Sequence, residues 1–184
     1  MNAPAIQSSY PYSAVQLPIW RRSALAAMNA RVQYGVVAAQ LERGPCIVTC
    51  NHVSLLDGII VALASPRPLV FPVTPLYARD HPYASRLLRW CERRGLGRVV
   101  PMDKGHFLPL RHLCRALEDG ESVCIFPEGG LADGFNPLPE NPGYRWLHEK
   151  TGRPIVRARI RGGERSRFFA KNGDAFRPSI LLEL

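Results

Sequence analysis

Cys46-Ile47-Val48-Thr49-Cys50-Asn51-His52-Val53-Ser54-Leu55-Leu56-Asp57 is the stretch from which the fold is read. Cys46 to Cys50 is a short apolar run suited to a buried strand, and Ser54 is placed to cap a helix that continues through Leu56 to Ala64. His52 and Asp57 are five positions apart. On a regular helix that separation puts side chains roughly 140° apart, so the two can meet only if His52 lies in the turn before the helix. Asp57 then sits in the first helical turn, where the helix dipole favours an ionised carboxylate. An ionised carboxylate that holds an imidazole in one tautomer is half of a general-base dyad. Ser54-x-x-Asp57 also fits a capping box, in which the carboxylate serves only the helix start. The spacing alone is compatible with both.

Outward from this stretch, helical and extended patterns alternate. The spacing predicts one helix from Ile19 to Leu41, stopped by Gly44-Pro45, after a loose arm over Met1 to Pro18 rich in Pro, Ser and Ala. Strands are expected at Leu69 to Val73, Arg98 to Pro101, Ser122 to Phe126, Pro154 to Ile160 and Ser179 to Leu184. Helices are expected at Pro82 to Arg94, Phe107 to Glu118 and Gly143 to Lys150. Such alternation indicates an α/β fold with a mixed, mainly parallel sheet flanked by helices, in one domain over 19–184. In such sheets functional loops leave the carboxyl ends of strands, as Asn51 onward and Pro127 onward both do.

The 184 residues carry a net charge of +9, which implies an anionic partner such as nucleic acid, an anionic lipid surface or a phosphorylated substrate. Residues 1–41 hold Arg21, Arg22 and Arg31 and no acid, so the helix over 19–41 suits contact with an anionic membrane or coverage of the sheet. Residues 153–177 add Arg153, Arg157, Arg159, Arg161, Arg165, Arg167, Lys171 and Arg177 against Glu164 and Asp174. The aromatic residues are not interleaved with these cations apart from Phe168, Phe169 and Phe176, and no nucleic-acid module is present, which sets nucleic acid aside. The five cysteines include no C-x-x-C pair, which suits reduced thiols in the cytoplasm. Cys46 and Cys50 are read as small hydrophobes on a strand rather than metal ligands with His52. No apolar run approaches the roughly 20 residues that span a bilayer, so any contact with the inner face of the cytoplasmic membrane is peripheral.

The second chemical motif is Phe126-Pro127-Glu128-Gly129, a tight turn that presents an acid at the end of an apolar strand. Together with His52 and Asp57 it resembles the H-x4-D and F-P-E-G signatures of the glycerolipid acyltransferase family, which includes lysophosphatidic acid and glycerol-3-phosphate acyltransferases. The likeness runs from about Gly44 to the C-terminus. Its layout is most similar to the acyltransferase domain of acyl-acyl-carrier-protein synthetases, which reacylates 2-acylglycerophosphoethanolamine; here that domain is expected to stand alone.

The resemblance implies a glycerol-3-phosphate acyltransferase-like fold and an O-acyltransferase. A fatty acyl group would pass from an acyl-CoA or acyl-acyl-carrier-protein thioester to the hydroxyl of a lysophospholipid or acylglycerol phosphate. His52 would be the general base and Asp57 its orienting carboxylate. Asn51, Ser54, Lys104, Phe126, Pro127, Glu128, Gly129 and Arg157 would form the substrate-binding set, with Lys104 nearest the family's phosphate-contacting cation. Neither a metal nor a cofactor is implied beyond the thioester co-substrate. Backbone N–H groups at the helix start beyond Ser54 are plausible donors to the oxyanion. Gly130 replaces the polar residue usual after F-P-E-G, Arg157 replaces a usual proline, and the loop Leu131 to Pro142 lacks the usual lysine. The same residues also admit a thioesterase, acylation of another lipid such as an aminolipid, or a non-catalytic lipid- or carrier-binding module.

Overall fold

The computed structural model describes residues 15–73, 82–102, 108–133 and 138–184. In chain order the elements are α1 (Ile19–Ala27), β1 (Ala30–Gln33), α2 (Val36–Arg43), β2 (Ile47–Thr49), α3 (Asp57–Ala64), β3 (Leu69–Val73) and α4 (Pro82–Arg93). They continue with β4 (Gly97–Pro101), α5 (Leu108–Glu118), β5 (Ser122–Ile125), α6 (Gly143–Thr151), β6 (Ile155–Arg157), β7 (Arg159–Arg161), a 3-10 turn (Gly163–Arg165) and β8 (Ile180–Glu183).

Five strands form an all-parallel sheet in the order β4-β3-β5-β2-β6. The run Ile47-Val48-Thr49 is fully buried because β2 has a strand on each side and cover on both faces. Side chains alternate between the faces. Ile47 and Val123 pack with Leu113, Leu117 and Leu147 of α5 and α6, while Val48 and Cys124 pack with α3. This gives the expected α/β arrangement, with α3 buried along Ile60 to Ala64.

A second sheet, absent from the sequence reading, lies on the α3 side in the order β1-β8-β7, with β1 and β8 parallel and β7 antiparallel to β8. Two expectations fail here for one reason each. The single helix over Ile19 to Leu41 is two helices around a strand, because Asn29 adopts a left-handed φ of 54°. Its side-chain amide donates to the Pro178 carbonyl at 3.2 Å, and the chain leaves it extended, pairing Ala30 with Ile180. Gly35 closes the strand by donating its N–H to the Leu184 carbonyl. Likewise the strand expected over Pro154 to Ile160 divides between the sheets. Ala158, buried between β6 and β7, is the pivot, and its N–H donates to Thr49 at 2.8 Å.

Arg21, read from sequence as a cation for a membrane face, points inward. It donates to the carbonyls of Ala62, Leu63 and Ser65 at 2.7–2.8 Å, satisfying the C-terminal end of α3. Cys46, Cys50 and Cys124 are buried, and burial pushes the Cys46 thiol up to about 11. Among the described residues no His/Cys/Asp/Glu cluster could hold a metal, and no helix is long and apolar enough to cross a membrane. The arm expected over Met1 to Pro18 falls outside the described residues up to 14.

Candidate active site

The turn between β2 and α3 is where the fold concentrates its polar contacts. Asp57, at the start of α3, is completely buried. A buried carboxylate must be compensated by donors, and three converge on its Oδ2 atom. The Val53 and Ser54 N–H groups donate at 2.7 Å each, and His52 Nδ1 lies at 3.1 Å. The capping and dyad geometries therefore coexist. They share one oxygen rather than taking one each, and Oδ1 has no hydrogen-bond partner. The Ser54 hydroxyl, instead of capping the N–H of Asp57, accepts from Leu56 at 3.2 Å.

His52 retains 22% side-chain exposure, so the ring is not sealed from solvent as Asp57 is. A carboxylate at Nδ1 selects the tautomer with the proton there, which leaves the lone pair on Nε2. The ring stacks on Phe126, with centroids 4.5 Å apart and planes tilted by 30°. Its backbone is held as well, since the His52 carbonyl accepts from Ala132 at 2.8 Å. The imidazole is thus fixed at Nδ1, across one face and through its main chain.

The second sheet completes the turn. Asn51 forms a two-way clamp on β7: its amide donates to the Ile160 carbonyl and its oxygen accepts from the Ile160 N–H, both at 2.8 Å. Leu55 donates its N–H to the Phe169 carbonyl at 2.8 Å. Gly163 roofs the carboxylate so closely that a Cβ there would lie 3.2 Å from Asp57 Oδ1 and 3.1 Å from the Ser54 Cβ. These contacts occupy the helix start. The N–H groups of Val53, Ser54, Leu55, Leu56 and Asp57 all have partners within the chain, so of the helix-start donors expected beyond Ser54 those of Leu55, Leu56 and Asp57 are engaged.

The Phe126–Gly129 turn leaves the adjacent strand β5 and stands beside the histidine. Gly129 has a φ of 62°, a conformation that a side chain disfavours, and donates to the Phe126 carbonyl at 3.0 Å. Asn141 locks the turn by donating its N–H and its amide to the Pro127 carbonyl at 2.8 and 3.2 Å. Glu128 is partly buried, with Oε2 lacking a partner. Burial raises its carboxyl above the ordinary range, the His52 backbone and imidazole partly offset this, and the Asp57 and Glu140 charges add to it.

Arg157, at the end of β6, is two-thirds exposed and pairs with Glu140 at 3.3 Å, while Glu140 also accepts from the Tyr144 hydroxyl at 2.8 Å. Lys104 lies outside the described residues. Asn51, Ser54, Phe126, Pro127, Glu128 and Gly129 thus gather around His52 and Asp57. Asn141, Ala132 and Gly163 also build the site and were missed. Asn141-Pro142 is a recognisable turn dipeptide, but nothing local connects it to Pro127. Gly163 carries no sequence signal of its proximity to Asp57.

The Acyltransferase family model matches residues 31–161, which takes in both motifs and ends in β7. A lyso-ornithine lipid O-acyltransferase of Rhizobium meliloti (strain 1021) is 33% identical over 116 residues, covering 62% of this chain and 37% of that protein. The crystal structure of a 1-acyl-sn-glycerophosphate (LPA) acyltransferase from Thermotoga maritima matches with a TM-score of 0.61 at 20% identity, over 90% of this chain and 64% of that one. The chain therefore spans just over a third of the curated relative's length and under two thirds of the solved structure's.

Proposed function

The chain belongs to the acyltransferase family, and from that premise we propose that it moves a fatty acyl group from a thioester to the hydroxyl of a lysolipid. The observation that carries this reading is the His52–Asp57 contact of 3.1 Å, with the carboxylate buried and the imidazole partly open. A hydroxyl is a poor nucleophile until a base takes its proton. His52 Nε2 removes that proton as the acceptor oxygen attacks the thioester carbonyl. The imidazolium so formed is stabilised by the Asp57 carboxylate. When the tetrahedral intermediate collapses, the C–S bond breaks and the proton passes from Nε2 to the leaving thiolate. Donors to the oxyanion come from outside residues 53–57.

Transfer is direct, with no acyl-enzyme. Cys50, the thiol nearest the dyad in sequence, is held protonated by burial and by the neighbouring Cys124, Asp57 and Glu128, and a protonated thiol is not a nucleophile. Glu128 stands beside the histidine, and its carboxylate is the group that would receive a second hydroxyl or an ammonium of the substrate. The donor is acyl-CoA or acyl carrier protein, both anionic and suited to the cations of the C-terminal third.

For the acceptor, a lysophospholipid or acylglycerol phosphate is the first reading. An aminolipid is the second. It is favoured by Glu128 beside the histidine, by the Glu140 charge that acts on Glu128, by the engagement of Arg157 with Glu140, and by the lyso-ornithine lipid relative.

The deciding experiment offers lysophosphatidic acid, lysophosphatidylethanolamine and lyso-ornithine lipid with acyl-CoA or acyl carrier protein, reading product by mass spectrometry. One acceptor class should be acylated, and His52→Ala should abolish the product while the protein stays folded. Thioester cleavage without lipid product would replace the transferase with a thioesterase. Undiminished transfer by the His52→Ala variant would remove the dyad.

A further inference from the structure

Between β7 and β8 the chain doubles back into a loop closed at its base by backbone hydrogen bonds. Ser166 bridges Ala175, Arg167 donates its N–H to the Ala175 carbonyl at 2.9 Å, and Ala175 donates to Arg165 at 2.9 Å. Gly173 is required at this closure, because a Cβ there would fall 2.2 Å from the Ser166 carbonyl oxygen. Ser166 is buried, but the residues that the base holds out are not.

Phe168, Phe169 and Phe176 are 61%, 40% and 68% exposed. They touch one another edge to face, with centroids 6.4 and 5.6 Å apart. Three aromatic rings gathered into one exposed patch differ from singly scattered apolar residues, because such a patch gains by leaving water together. The same loop carries the exposed cations Arg165, Arg167 and Lys171, against Glu164 and Asp174, while the Arg177 guanidinium is engaged with the Ala26 carbonyl at 2.8 Å. The Arg167 guanidinium lies 5.0 Å from the Phe176 ring centroid, its charge held beside the apolar tip.

We infer that this loop is a wedge that inserts into an anionic bilayer surface and docks the active site there. Exposed rings gathered on one closed loop present an apolar surface, and a fluid apolar medium covers such a surface without a matching cavity. The surrounding cations complement anionic headgroups, each adding attraction near such a surface. Position gives the contact a purpose. The Phe169 carbonyl is bonded to Leu55 within the His52–Asp57 turn, and Gly163, just before the loop, covers Asp57. Wedge and active site are thus one connected piece, and a lysolipid leaving the bilayer beside the rings would arrive at His52. That purpose rests on the proposed acyl transfer; the membrane binding does not.

The test is co-sedimentation of the full chain with vesicles of equimolar phosphatidylglycerol and phosphatidylcholine, or of phosphatidylcholine alone. Phe168→Ser with Phe176→Ser should lower the partition coefficient about tenfold per ring, and Trp at both positions should retain it. Arg165→Gln with Lys171→Gln should reduce the preference for phosphatidylglycerol about fivefold per charge, and salt should mimic the loss.

Acyl transfer to a monomeric, short-chain lysolipid should be unchanged in the double Ser variant, which shows the site intact. Wild-type partitioning of that variant would overturn the wedge. So would a change confined to oligomeric state in light scattering, or confined to binding of acyl carrier protein. Ring-dependent vesicle binding without any acyl transfer would support the wedge and overturn the proposed reaction.

Discussion

Replacing Asp57 by asparagine separates the structural and chemical duties of one oxygen. Oδ2 accepts two backbone bonds at 2.7 Å and faces His52 Nδ1 at 3.1 Å. Bonds to a charged acceptor contribute about 1.5–3 kcal/mol each and neutral ones about 0.5–1.5, so neutralising this acceptor forfeits about 3 kcal/mol over three bonds. Removing a fully buried charge returns several kcal/mol of desolvation, so the net change in stability should stay within about 2 kcal/mol.

The rate has no such compensation. An asparagine oxygen on the Val53 and Ser54 N–H groups leaves its NH2 at the place of Oδ1, which has no acceptor in the wild type. The imidazolium that forms during transfer then lacks its counter-charge. A general base contributes about 10²–10⁴-fold, so kcat should fall by about that factor while KM moves only a few-fold. Thiol release and product mass report turnover, and urea denaturation reports stability. In the His52→Ala background the asparagine substitution should have almost no further effect, because the pair works as a unit. If Asp57→Asn kept kcat within twofold, or if the two substitutions multiplied, the dyad reasoning would be refuted.

Asn51→Ala should destabilise the fold by about 2–4 kcal/mol, since it leaves the Ile160 N–H and carbonyl without their 2.8 Å partners; a urea midpoint equal to wild type would show that the clamp is dispensable. Gly163→Ala places a methyl 3.2 Å from Asp57 Oδ1 and 3.1 Å from Ser54, and should reduce kcat by about tenfold by displacing the carboxylate while stability falls by only about 1–2 kcal/mol. For Glu128 the folded carboxyl is raised by burial, so the native state holds its proton more tightly than the unfolded chain. Stability therefore declines as pH climbs from the ordinary carboxyl value through the raised one, and the penalty persists at neutral pH. Glu128→Gln should remove that decline and be the more stable form at pH 7, and should lose activity; a less stable variant there would contradict the burial argument.

The legible parts of this protein were those encoded over a few neighbouring residues. Apolar runs bounded by glycine and proline located β3 at its observed ends and β2, β4 and β5 to within one or two residues. The five-position separation of His52 and Asp57 required a strand, a turn and a helix start in that order, because no single regular element lets them meet. The turn at Phe126–Gly129 was equally visible, since its glycine serves a local backbone geometry.

Tertiary structure decided what those pieces do to one another. The alternation of Ala30 to Gln33 was too short to outweigh the alanine-rich helix before it, and only pairing with β8, about 150 positions later, makes that segment a strand. Arg157-Ala158-Arg159 looks like continuous strand, yet the hydrogen bonds on either side of Ala158 belong to different sheets. Arg21 looks like a surface cation and is a cap for α3, because unpaired carbonyls and a guanidinium find each other across sequence. The parallel α/β layer and the two motifs at its strand ends are written in the chain itself, since hydrophobic periodicity and turn chemistry are local. The tertiary structure alone placed the second sheet over them, clamped Asn51 to Ile160, roofed Asp57 with Gly163 and gathered three phenylalanines beside the site. Those contacts join residues 100 or more positions apart in most cases, and a hydrogen bond or a packed methylene leaves no periodic trace in either segment that supplies it.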